Sequence, residues 1–326
     1  MLNSTKTYKH FLRVMDYIFF MRPVILIPLW SFILIGYFLS RYTIRPDMFF
    51  QWYIPFLLII KTFLATLIMG IIYIVNQIFD CETDALNKKL FFIPSGIVTL
   101  KQAKIQVYIL FIIFVFGVFI FRLDLYFTLF NILLLILGLC YSIPPLQFLG
   151  RPGLDILVNT IGYGWLSFFI GWTVINNPSL PMLNHSMPYF IFMAAVYINT
   201  TLIDLEGDRE SALSTTGVFL GSIKSSVISL IFVVLTLILG FIQKDWIIFT
   251  IVGLSSPLFI LAVIRNVRKY FLISVQIPGW LFVIFLGLIF PYYFILIVCL
   301  YLITKFYYKQ RFNMDYPRLG EEKNAN

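Results

Sequence analysis

The sequence predicts an all-α fold, a polytopic bundle of transmembrane helices, and three observations carry that reading. The 326 residues are 60% hydrophobic and only 12% charged. Their mean hydropathy of +0.93 lies outside the range of a soluble globular domain. Apolar runs of about 20 residues recur along the chain, the length a helix needs to cross a hydrocarbon core. Barrel strands would instead give segments of about 10 residues alternating apolar and polar positions.

Spans are expected at about 22–39, 53–76, 105–121, 125–142, 156–175, 188–204, 223–242 and 246–264, followed by a long apolar region at about 272–306. That last region is too long for one untilted helix, and Pro278 and Pro291 offer breaks within it. Nine transmembrane helices are expected and ten are possible. Before the first span, residues 8–20 mix Lys9, His10 and Arg13 with Phe11, Val14, Tyr17 and Ile18, a pattern suited to an interfacial helix or to an extension of the span. The N-terminal segment has no compact apolar region with a small-residue cleavage pattern, so the first long apolar run reads as a retained helix. The whole chain, 1–326, reads as a single transmembrane domain with a polar tail over 307–326.

Lys and Arg fall in short segments between the spans. With a cytoplasmic N-terminus, Lys88, Lys89, Lys101, Lys104, Arg151, Arg209, Arg265, Arg268 and Lys269 lie on the inner side, against Arg41, Arg45, Arg122 and Lys244 outside. This bias follows the positive-inside rule. It accounts for the net charge of +9 without nucleic acid, for which no continuous basic face exists. Cys81, Cys140 and Cys299 have neither a ligand-like spacing nor the pattern of a disulfide framework.

Against this apolar background, seven of the fifteen acidic residues lie in two windows, "NQIFDCETDALNKKL" and "DLEGDRE". Asn76, Asp80 and Asp84 are spaced by four, as are Asp204 and Asp208, so each set shares one face of a helix if the helix continues through it. Glu82 and Glu206 fall between and point away. Span parity puts both windows on the predicted cytoplasmic side. Like charges on one face at a membrane boundary repel and are costly to desolvate. A divalent cation with oxygen ligands offsets that cost, carboxylates and a carboxamide giving part of a Mg²⁺ shell and a substrate phosphate the rest. Solvated loops with acids as caps and countercharges are the plainer alternative.

These windows resemble the two aspartate-rich motifs of the UbiA superfamily of intramembrane prenyltransferases. Between them "YSIPPLQFLGRPGLD" is similar to the family's Tyr-Ser-x-Pro-Pro segment, and "PSG" at 94–96 and "STTGVFLG" at 214–221 fit the family's habits. The resemblance implies a bundle around a central cavity whose cytoplasmic mouth binds Mg²⁺ and a polyprenyl diphosphate. By motif position it implies that Asn76, Asp80, Asp84, Asp204 and Asp208 hold the metal and diphosphate, and that Tyr141 and Ser142 form the polar rim near the reacting carbon. The candidate phosphate-binding cations are Arg22, Lys88, Lys89, Arg151, Arg209 and Lys224, because Arg grips phosphate in bidentate fashion and Lys supplies a point charge. The family often has an Asp four residues before Asp204, where this chain has Thr200.

The expected activity is Mg²⁺-dependent transfer of a polyprenyl group from its diphosphate to a small or lipophilic acceptor in the bilayer, with an aromatic quinone precursor as the leading acceptor. A membrane transporter with an ion site on the cytoplasmic side is the alternative. Elsewhere, Lys61 inside the second span is expected to snorkel toward the opposite interface. Asn131 and Asn159 read as interhelical hydrogen-bond partners, and Gly162, Gly164 and Gly171 as close-packing positions.

Overall fold

A computed structural model describes residues 2–44, 50–80, 92–314 and 316, with side chains from residue 10 onward. Asp84, Lys88 and Lys89 lie outside the described residues. Ten helices among those described are long and apolar enough to cross a membrane, and no strand accompanies them. The protein is an integral, multi-pass membrane protein.

An amphipathic helix, α1 (Leu2–Phe20), precedes the first span and is separated from it by a turn in which Arg22 has left-handed backbone (φ 52°). After a 3-10 turn at Pro23–Leu26, the spans are α2 (Ile27–Tyr42), α3 (Phe56–Phe79), α4 (Leu100–Ile120), α5 (Leu125–Ser142), α6 (Leu154–Trp172) and α7 (Leu180–Ile203). Two short helices, α8 (Leu205–Glu210) and α9 (Thr216–Leu220), lead to the spans α10 (Ser222–Ile242), α11 (Trp246–Arg265), α12 (Arg268–Ile289) and α13 (Pro291–Phe312).

The apolar region at 272–306 is therefore two helices, broken where Phe290 leaves helical geometry before Pro291. Pro278 lies within α12 and does not end it. Ten spans stand among the described residues, the larger of the two counts that the sequence leaves open. Residues 307–312, assigned to a polar tail from sequence, continue α13 because Tyr307 and Tyr308 are buried. Tyr307 stacks on Phe19 at 4.1 Å between centroids and donates to Asp16 at 2.6 Å, while Arg311 meets the same carboxylate at 3.0 Å. These contacts fasten α1 to α13.

The core is built around α2, α3, α6 and α7, whose inner residues are the most buried in the bundle. Lipid-facing helices such as α4 carry exposed Tyr108, Phe116 and Phe119, as expected where the solvent is hydrocarbon. Small residues set the closest approach. A Cβ on Gly36 would lie 2.1 Å from the Phe168 carbonyl oxygen, and one on Gly171 would lie 1.8 Å from that of Ile33. Backbones of α2 and α6 thus touch directly.

At the end of the bundle away from the acidic windows, Lys61 is fully buried. Its Nζ lies 2.6 Å from Asp124 and donates to the Thr173 carbonyl at 2.8 Å. It points toward that interface as expected, but it ends in an ion pair instead of reaching water. Asp124 also caps α5, accepting from the Phe127 amide at 2.8 Å. On the same end, Asp245 accepts from the Tyr189 hydroxyl at 2.8 Å and from the amides of Ile247 and Ile248. Burial raises the Asp245 carboxyl above its ordinary range, and these bonds partly counter the rise.

Candidate active site

The other end opens into a cavity of about 450 Å³ between α2, α3, α5, α6, α7 and α12. Its upper wall carries Arg22, Asn76, Asp80, Tyr141, Asn159, Tyr197, Thr200, Asp204 and Asp208, and its deeper wall is apolar and aromatic.

The local chain explains how the acids arrive there. Helix α3 stops at Phe79, and Asp80 is its C-cap, its amide bonded to the Asn76 carbonyl at 2.8 Å. The Asn76 side chain bridges Asp80 and Ser142, donating to the Asp80 carboxylate and, at 3.2 Å, to the Ser142 hydroxyl. Ser142 is completely buried behind the wall, so it orients Asn76 without facing the cavity. In the second window, α7 ends at Ile203, and Asp204 sits at the junction with α8. The Asp208 amide bonds to the Asp204 carbonyl at 2.9 Å, which keeps the two a helical turn apart although the long helix has ended.

A second layer holds Asp208. Its carboxylate accepts from the Thr215 hydroxyl at 3.2 Å. The adjacent Thr216 donates its amide to Asp155 at 2.8 Å and accepts from the Gly153 amide at 2.7 Å. Asp155, fully buried at the start of α6, thereby ties the loop after Pro144 and Pro145 to the loop after the second window. Sequence reasoning missed Asp155. Its signal was a lone acid opening an apolar span, which an N-terminal cap would also give.

Tyr73, Tyr163 and Tyr197 were also missed; with Tyr141 they form two pairs. Tyr73 and Tyr163 meet through their hydroxyls, and Tyr73 also reaches the Ile25 carbonyl at 3.0 Å. Tyr141 and Tyr197 meet at 2.5 Å. All four line the cavity. Tyr163 lies in a π-helical stretch of α6, Thr160–Leu166, where Ser167 bonds back to the Gly162 carbonyl at 2.8 Å. Such wide turns redirect side chains locally.

Of the residues singled out from sequence, Asn76, Asp80, Asp204, Asp208, Tyr141 and Arg22 share this one cavity, and Ser142 supports it. Arg151, Arg209 and Lys224 are exposed and do not line it; the Arg151 guanidinium instead donates to the Pro145 carbonyl at 2.8 Å. Asn159 faces the cavity, while Asn131 is buried and bonds to the Phe127 carbonyl of its own helix. Thr200 lines the wall with its hydroxyl bonded to the Val196 carbonyl. Among the described residues no three acids converge closely enough to form a metal cluster by themselves.

A ten-span bundle with one deep apolar cavity and an acid-lined mouth defines an intramembrane protein able to take an amphiphile with an apolar chain and a polar head. The chain belongs to the UbiA prenyltransferase family, whose profile matches residues 29–271. The digeranylgeranylglyceryl phosphate synthase of Sulfurisphaera tokodaii is 29% identical to it over 191 residues, 56% of this chain and 66% of that protein. The probable homogentisate phytyltransferase 2 of Oryza sativa is 29% identical over 195 residues, 56% of this chain and 50% of that protein. This chain thus spans just under two thirds of the first relative and half of the second. A UbiA homolog from Archaeoglobus fulgidus, solved with GPP and Mg²⁺, superposes with a TM-score of 0.60 at 19% identity, covering 84% of this chain and 99% of that one. At that identity the likeness is one of fold.

Proposed function

We propose that this protein transfers a prenyl group from a prenyl diphosphate to a lipophilic acceptor within the bilayer, in a Mg²⁺-dependent reaction. The observation that carries the reading is the meeting of Asn76, Asp80, Asp204 and Asp208 with Arg22 at the mouth of an apolar cavity. These groups fit the metal by donor chemistry, since a carboxamide and carboxylates are the hard oxygen donors Mg²⁺ takes. An ion held there would take its remaining ligands from phosphate oxygens. Asp84, Lys88 and Lys89 belong to the proposed set by motif position. Bound there, Mg²⁺ would supply the positive charge that stabilises diphosphate as a leaving group.

The protein's own groups do the rest. Asn76, held by Ser142, keeps Asp80 turned to the mouth, and Asp155 through Thr216 and Thr215 does the same for Asp208. Arg22, fixed in left-handed backbone at the rim, is the cation placed to grip a phosphate, whereas Arg151, Arg209 and Lys224 would act by long-range attraction. The apolar wall holds the chain and limits water at the breaking carbon–oxygen bond. Tyr141 and Tyr163 line the cavity, where an aromatic π-face would attract the positive charge that develops on the allylic carbon.

The mouth is proposed to face the cytoplasm, because Lys101, Lys104, Arg151, Arg209, Arg265, Arg268 and Lys269 all flank helix ends on that side. An aromatic quinone precursor remains the leading acceptor. The archaeal relative is named for a glyceryl phosphate lipid, so both acceptor types belong in the screen.

Native mass spectrometry of purified protein, offered a panel of prenyl diphosphates with and without Mg²⁺, tests the reading. Retention of a donor only with Mg²⁺ is expected. Folded protein that retains none in either condition would overturn it and favour the transporter.

A further inference from the structure

Which donors the cavity admits is written in its floor. Following each wall helix away from the mouth, the deepest lining residues are Phe32 on α2, Met69 on α3, Leu134 on α5, Tyr163 on α6, Phe192 on α7 and Phe282 on α12. The three phenylalanines are each at most 5% exposed, and Phe282 meets both of the others. Phe32 stacks on Phe282 at 5.8 Å between centroids, and Phe192 meets Phe282 at 6.2 Å. Beneath them Tyr189, fully buried and outside the cavity, contacts Phe32 and Phe282, both at 6.2 Å. The Tyr189 hydroxyl is in turn fixed by Asp245 at 2.8 Å. A rigid aromatic plug therefore separates the cavity from the far end of the bundle.

The depth follows from helix geometry. Phe192 lies twelve residues before Asp204 on α7, about 18 Å along the axis, and Phe282 lies fourteen residues into the bundle from Arg268, about 21 Å. An extended carbon chain advances about 3.5 Å per three bonds. One isoprene unit, four bonds along its main chain, thus spans about 4.5 Å, and about four units reach the floor.

We infer that Phe32, Phe192 and Phe282 form a length stop, so that this protein takes prenyl diphosphates of up to about four isoprene units and rejects much longer ones. The inference rests on the prenyl-donor reading and adds a specificity that neither the motifs nor the family match contains. Gly279 gives a second handle. It lines the cavity one helical turn nearer the mouth than Phe282, and a Cβ built there meets open space. A larger side chain at 279 raises the floor without colliding with the fold, and it replaces glycine with a better helix former.

The test is donor retention with Mg²⁺ across a series from two to nine isoprene units, on wild type, Phe192→Ala, Phe282→Ala and Gly279→Leu, each checked for monodisperse, thermally cooperative protein. Wild type should fall at least about tenfold between four and six units, a discrimination that a shape-limited apolar pocket can supply. The alanine variants should move the fall to longer donors, and Gly279→Leu should move it to shorter ones. Wild type that retains nine-unit and three-unit donors equally would overturn the length stop while leaving the donor reading intact. So would a cut-off that none of the folded variants moves. Retention of no donor at all would overturn both.

Discussion

The two ends of this bundle handle carboxylates in opposite ways. At the closed end Asp124 is bound to Lys61 and caps α5, and Asp245 is bound to Tyr189 and caps α11. Each closes a structural gap. At the open end Asp80, Asp204 and Asp208 all border one cavity, where Asp80 accepts from Asn76 and Asp208 from Thr215. Burial alone does not distinguish the two ends, since Asp80, Asp208 and Asp245 are all 6–7% exposed. What distinguishes them is where the carboxylate points.

The sharpest way to break the contrast is to neutralise each end in turn. Asp80→Asn or Asp208→Asn should preserve insertion and thermal stability but lower Mg²⁺-dependent prenyl transfer by about 100-fold or more. Glu206→Gln, on an exposed side chain, should stay within about threefold. Full turnover in both aspartate variants would remove the proposed metal role.

At the closed end the expected loss is in stability. Asp124→Ala should destabilise by about 3 kcal/mol, because it leaves the fully buried Lys61 ammonium without its counter-ion, facing only Thr173 and the Phe127 ring. Lys61→Met should cost distinctly less, since it leaves an Asp124 side chain that is 40% exposed. Thermal unfolding in detergent reads both, and equal losses would contradict the assigned burial. Donor retention by the survivors should be unchanged.

A smaller effect concerns pH. The folded state holds the Asp245 proton more tightly than the unfolded chain does, so stability should fall as pH rises from the ordinary value of 3.8 through the raised one. Asp245→Asn should flatten that slope in a series of melting curves between about pH 4 and pH 7. An unchanged slope would assign the dependence to other groups. The smallest effect is expected of Ser142→Ala, which frees the Asn76 amide while leaving every cavity-lining group in place, and should lower turnover about threefold to tenfold. No change in its steady-state rate would mean that Ser142 is not a positioning residue.

The same contrast shows what could be read from sequence. Hydropathy revealed the spans, because each lipid-facing helix must be apolar over a fixed length. The acids at the mouth stood out because two windows repeated a spacing of four in a chain with few charges. Partnerships across long separations left no such trace. Nothing in the order of residues joins Lys61 to Asp124, or Asp155 to Thr216, and the floor is three phenylalanines among 36. The sequence leaves open whether α3 runs on toward Asp84, which lies outside the described residues. The helix ends at Phe79, and the Asn76–Asp80 relation survives through the capping bond. The number of spans was open between nine and ten only where Phe290 and Pro291 divide one long apolar run.

The wide turn in α6 bears on how this chain can change over generations. At one end of the helix Asp155 must reach Thr216 and Asn159 must face the mouth, and at the other Gly171 must face Ile33. The π-helical residues between them reconcile the two phases, as one inserted residue would. Losing a single codon there would turn everything beyond it by about 100° and carry Gly171 off the only face on which its backbone can meet α2. The turn is therefore a feature that drift cannot trim, its length held by two unrelated appointments at either end.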